Sequence, residues 1–109
     1  DALMIHPYFA KDNNDLPAIL ALAAKKGKPA IATECCWGSL DDVTHCKFIK
    51  EDLDTLHAMQ LGFLAHALYE SPVADLHRPD LGPISGAGYM AFINRDGSLR
   101  KGHEIFNEY

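Results

Sequence analysis

Lys28-Pro29-Ala30-Ile31-Ala32-Thr33-Glu34-Cys35-Cys36-Trp37-Gly38 is the stretch on which the fold and the chemistry turn. After Pro29, the residues Ala30 to Thr33 read as a short buried strand, and Glu34 at its end carries a carboxylate into the polar loop beyond. Strict alternation places Ala30, Ala32 and Glu34 on one face and Ile31 and Thr33 on the other, so the glutamate shares its side with small residues. A carboxylate ending a nearly apolar strand loses hydration unless it is paired or used. Two ordinary uses are open to it, capping the next helix or bonding an arginine; the third is chemistry.

On the N-terminal side of this stretch, Asp12-Asn13-Asn14 supply N-cap candidates. Leu16, Ile19, Leu20 and Ala23 then recur at helical spacing until Lys25, Lys26 and Gly27 close the helix, with Pro17 tolerated in the first turn. Before that helix, residues 2 to 8 (Ala-Leu-Met-Ile-His-Pro-Tyr) predict a strand with Met4 and His6 on one face and Leu3 and Ile5 on the other.

On the C-terminal side, Ser39 with Asp42 resembles a capping box. Val43, Cys46, Ile49, Leu53 and Leu56 continue at intervals of three or four, which predicts a helix to Met59 or Gln60 whose acidic residues 51 to 54 mark the solvated side. Gly62 to Leu68 reads as a third strand, with His66 on the face of Leu64 and Leu68. A long irregular segment from Tyr69 to Gly88 follows, of the kind that often carries function. Tyr89 to Ile93 suits a short strand, Asn94 to Gly97 a turn, and Gly102 to Tyr109 the start of a last helix. Strands alternating with helical crossovers imply an α/β fold with a parallel sheet, whose sites lie at the carboxyl ends of strands.

The bulk numbers narrow the partners. A chain of 109 residues makes one domain, and 48% hydrophobic with 23% charged residues is an ordinary globular composition. A net charge of -5, without a block of Lys or Arg, argues against nucleic acid or an anionic membrane surface and for a neutral or weakly charged substrate. No apolar run approaches the roughly 20 residues that span a bilayer, and the first residues show no signal-peptide pattern. Cysteine is odd in number, three, and Cys35 and Cys36 are adjacent, so all three are expected to be reduced, which favours a cytoplasmic setting. Cys35-Cys36 with His45-Cys46 lacks zinc-like spacing, and neither a metal nor a cofactor is expected.

Taken together, Ile5-His6-Pro7-Tyr8, Lys28 to Glu34, Gly62-Phe-Leu-Ala-His66 and Asp96-Gly-Ser-Leu-Arg100 resemble the last third of a (β/α)8-barrel glycoside hydrolase of the clan that includes family 5. The resemblance covers essentially the whole chain and implies a C-terminal TIM-barrel fragment: barrel strands six, seven and eight with their helices, one incomplete domain. It implies that Glu34 is the nucleophile of a retaining hydrolase acting on a β-linked glycan, and that His6 and Tyr8 hold the sugar and the nucleophile. Trp37 and His66 are further candidates for sugar contact, His66 standing where the family often carries a tryptophan floor. The acid/base glutamate would lie before Asp1, so the piece alone is expected to be inactive, completed by the remainder of the barrel or by self-association. A barrel that binds carbohydrate without cutting it, or another parallel α/β enzyme using Glu34 as a base, fits the same residues.

Overall fold

The computed structural model describes residues 1–39, 41–69, 77–78, 82–83, 90–94 and 96–109. Strands β1 (Leu3–Ile5), β2 (Ala30–Cys35) and β3 (Gly62–Ala65) form a parallel sheet in the order β1-β2-β3. Helix α1 (Leu16–Lys25) joins β1 to β2, and α2 (Asp42–Ala58) joins β2 to β3. The chain is thus an α/β arrangement of three parallel strands alternating with helices.

Helix α1 starts with Pro17 in its first turn, where a missing N–H costs nothing. It ends in a paired reversal: Gly27 N–H donates to Ala24 O at 3.0 Å and Lys28 N–H to Ala23 O at 3.0 Å. That closure needs a left-handed residue, and Gly27 supplies it at φ 62°.

Helix α2 corrects two sequence expectations. Its N-cap is Asp41, whose carboxylate accepts the Thr44 N–H at 2.8 Å; Ser39 sits two residues too early and accepts only the Asp41 N–H, at 3.5 Å. Its buried stripe is His45, Ile49, Asp52, Leu53 and Leu56. Val43, expected inside, is 79% exposed, and Asp52, expected on the solvated side, is 3% exposed. The spacing 45, 49, 52, 53, 56 is the better helical series, and two of its members are polar.

The core lies between the sheet and its helices: Leu16, Ala32, Cys35, Cys36, Ile49, Leu53, Leu56 and Leu61 are buried together, with Ile5, Ala30, Phe63 and Ala65 packed against them. Each fully buried leucine contributes about 2 kcal/mol. Strand β1 alternates as expected, Met4 and His6 outward and Ile5 inward. Strand β2 does not, because Ala30, Ala32 and Cys35 all meet the core. Ala32 pairs with Phe63 and Cys35 with Ala65, three residues against two, so an irregularity between them breaks the alternation. Glu34 is thereby parted from the alanines' face. The opposite face of the sheet leaves Met4 70% and Leu64 57% exposed.

Strand β3 stops at Ala65, short of the expected Leu68. Beyond it, Tyr69 bridges Ile93 in parallel and Ile93 bridges Leu99, while Phe92 N–H donates to Ala67 O at 3.1 Å. Of the expected strand, Tyr89 lies outside the described residues and 90–93 joins through these isolated bridges. The Asn94–Gly97 turn closes with the Gly97 N–H on Asn94 O at 2.9 Å. From the segment expected to be irregular, the described residues beyond Tyr69 are β4 (His77–Arg78) and β5 (Gly82–Pro83), paired antiparallel; the rest, Pro72 and Pro79 included, lies outside the described residues. The expected last helix is a 3₁₀ helix, His103–Glu108.

Candidate functional site

The carboxyl ends of the three strands converge. His6 follows β1, Glu34 is the penultimate residue of β2, and His66 is the first residue after β3. Tyr8, two residues past His6, donates its hydroxyl to Glu34 Oε2 at 2.7 Å. His6 Nδ1 stands 3.4 Å from the same oxygen. His66 Nδ1 lies 3.3 Å from Tyr8 Oη, and the His66 N–H is fixed on Cys35 O at 3.0 Å. Burial, with the Glu34 carboxylate beside it, holds the Tyr8 hydroxyl well above the ordinary tyrosine range, so it remains a donor.

The two ordinary uses open to a strand-end carboxylate belong to other residues. Asp41 caps α2, and Asp42 takes the Arg100 guanidinium, its Oδ1 at 2.8 Å from Nε and 2.6 Å from Nη2. Glu34 instead faces Tyr8 and His6 through Oε2, and among the described residues its Oε1 has no partner. A carboxylate with one oxygen engaged and the other without a partner among the described residues is oriented yet able to attack or to take a proton.

Trp37 joins this group through aromatic packing: its ring meets the Tyr8 ring at 4.9 Å, nearly edge-on, and lies 6.0 Å from Phe9, which in turn abuts Phe48. It is half-buried. The structure therefore brings all five candidates, His6, Tyr8, Glu34, Trp37 and His66, to one end of the sheet.

A sixth residue organises them. Asp52 of α2 accepts the Ala10 N–H at 2.6 Å and the Cys36 N–H at 2.9 Å. These amides lie just past Tyr8 and Glu34, in loops where Phe9 (φ 54°) and Cys36 (φ 71°) take left-handed backbone conformations. Such conformations are costly for residues with side chains and need support. Burial raises the Asp52 carboxyl above its usual range, and the two amide bonds oppose that rise. The signal for Asp52 was present in the sequence: it lies three residues past Ile49 and four before Leu56.

A second polar cluster lies elsewhere on α2. His45 Nδ1 is 2.8 Å from His103 Nε2, and His103 Nδ1 is 3.2 Å from Lys101 O. The carbonyl can only accept, so His103 carries its proton on Nδ1, and His45 donates from Nδ1. His45 Nε2 is left buried without a partner. Burial, then the neighbouring His103 and Arg100, lowers the His45 imidazole from 6.5 to about 3. Cys46 also meets the cluster, its Sγ 3.7 Å from His103 Nδ1. A Cβ at Gly102 (φ 84°) would come within 2.9 Å of that sulfur, which reserves the position for glycine.

Cys35, Cys36 and Cys46 are free thiols, the first two with their sulfurs 3.6 Å apart. Among the described residues no group of three or more His, Cys, Asp or Glu side chains is placed to hold a metal ion, and no helix is long and apolar enough to cross a membrane. Two open hollows of about 430 and 480 Å³ flank α2 and contain none of the strand-end candidates. No family model, curated protein or solved structure matches the chain.

Proposed function

We propose that the strand-end cluster is part of the active site of a retaining glycoside hydrolase acting on a β-linked glycan, with Glu34 as its nucleophile. The observation that carries this reading is the divided carboxylate: Oε2 is held by the Tyr8 hydroxyl with His6 Nδ1 3.4 Å away, and Oε1 has no partner among the described residues. A retaining mechanism needs such a group to attack the anomeric carbon, and a second carboxyl about 5 Å away to protonate the leaving oxygen. No described residue is assigned the second role; it falls to the remainder of a (β/α)8 barrel. The bare sheet face at Met4 and Leu64 suits the same partner, since further strands would close over it. The half-buried Trp37 offers an aromatic surface to a sugar ring.

The test uses the protein with its barrel complete. A panel of 2-deoxy-2-fluoro glycosides with good leaving groups should leave a covalent sugar on the peptide containing Glu34, read by mass spectrometry after digestion. A sugar on a different carboxylate ends the assignment. For the partner, size-exclusion chromatography with light scattering on the 109-residue chain should show association or a non-cooperative melt. A cooperatively melting monomer would count against the barrel.

A further inference from the structure

We propose that His66 is a positioning residue for Glu34, acting through Tyr8, in place of a surface on which a sugar rests. The inference builds on the reading of Glu34 as the acting carboxylate. Tyr8 has one hydroxyl proton, and the 2.7 Å contact to Glu34 Oε2 commits it there. The Tyr8 oxygen must then accept from its second neighbour, His66 Nδ1 at 3.3 Å. That fixes His66 as the Nδ1–H tautomer, the less favoured form of free imidazole, and leaves Nε2 without a proton while the ring is neutral.

The geometry suits an aiming device better than a stacking surface. The His66 ring stands at 73° to the Tyr8 ring with centroids 6.5 Å apart, an edge contact that delivers a ring N–H to the oxygen. Its backbone is pinned to β2 by the bond to Cys35 O, beside Glu34 itself. The chain of donors runs His66 Nδ1–H to Tyr8 Oη–H to Glu34 Oε2. With its oxygen occupied by the imidazole, the phenol cannot swing its proton away from the carboxylate. Oε2 stays engaged, and Oε1 keeps its aim.

Ring ¹⁵N shifts of the labelled histidines, with the His66 signal assigned from its loss in His66→Asn, test the relay without any turnover. In the native protein His66 should show a protonated Nδ1 and a bare Nε2. Tyr8→Phe removes one oxygen and should shift His66 toward the Nε2–H form. A native His66 protonated on Nε2, or ring shifts unmoved by Tyr8→Phe, would overturn the proposal.

A kinetic arm on the barrel-complete enzyme follows. His66→Phe should lower kcat about tenfold with KM nearly unchanged, and His66→Asn, which keeps a donor near the Nδ1 position, should recover most of the loss. A raised KM with kcat intact would make His66 a substrate contact and overturn the relay. Should the enzyme turn over no glycan at all, the nucleophile reading falls, and the tautomer measurement still decides the relay.

Discussion

Two histidine-bearing clusters sit against the same sheet and helix framework, and they use polar groups in opposite ways. At the strand ends, Tyr8 and His6 converge on one oxygen of Glu34, solvent reaches the group, and the atom without a partner among the described residues is a carboxylate oxygen. Around His45, the hydrogen bond runs to His103 with the charged Asp42–Arg100 pair nearby, and among the described residues the unpartnered atom is an imidazole nitrogen shut away from water. Polarity alone does not make a site. The first cluster stays open to solvent, whereas the Asp42–Arg100 pair beside the second fastens the C-terminal segment to α2, Arg100 also donating to Ala91 O at 2.8 Å.

The sharpest way to break the contrast is at Glu34. On the proposed reading, Glu34→Gln in the completed barrel should reduce glycan turnover to background while changing the unfolding free energy from urea titration by no more than ordinary surface changes do, about 0.5 kcal/mol. Retained turnover would remove the distinction between the clusters. Next in size is Asp52→Ala, which strands two buried amides and should cost about 3 kcal/mol or more in urea unfolding. A loss below about 1 kcal/mol would show that the loops hold their shape without it.

A pH series addresses the buried cluster. His45 has its folded value lowered from 6.5 to about 3, so the unfolded chain takes up a proton first as pH falls through that window. Stability is therefore full above pH 6.5 and declines toward pH 3. His103, also lowered by burial, works in the same direction; Asp52, raised by burial, works in the opposite one at the acid end. Between pH 6.5 and about 5 the histidine effect should dominate. His45→Asn, which keeps a donor for His103 Nε2, should flatten that slope in urea titrations; an unaltered slope would assign it to other groups. The smallest effect is expected at Val43→Lys on the exposed flank of α2, about 0.5 kcal/mol or less by the same measurement. A larger loss would restore Val43 to the packed stripe.

Much of the framework was legible because period and chain punctuation are local. Pro17 and Gly27 bracket α1, and the strand that begins at Ala30 was legible, although it ends at Cys35, one residue past the expected Glu34. What escaped were features set by distant partners. The β2 irregularity depends on how Cys35 registers against Ala65, which no alternation rule contains. Asp52 and His45 occupy apolar positions of α2, where a polar side chain is expected outside; their burial is decided by amides and a histidine far away in the chain. Asp41 displaced Ser39 as cap because the chain turns into the helix two residues later. At the site, His6, Glu34 and His66 could be placed at strand ends from the sequence, but the sharing of Oε2 and the Tyr8–His66 contact required three dimensions.

Asp52 makes the two loops a single mechanical unit tethered to a helix that bears none of the five strand-end side chains. An engineer exchanging the segment after Tyr8, or the one after Glu34, would inherit a bond whose acceptor lies in α2. Successful transplants will have to carry strand end, loop and helix together, and sequence drift in either loop is bounded by backbone shape more than by side-chain identity.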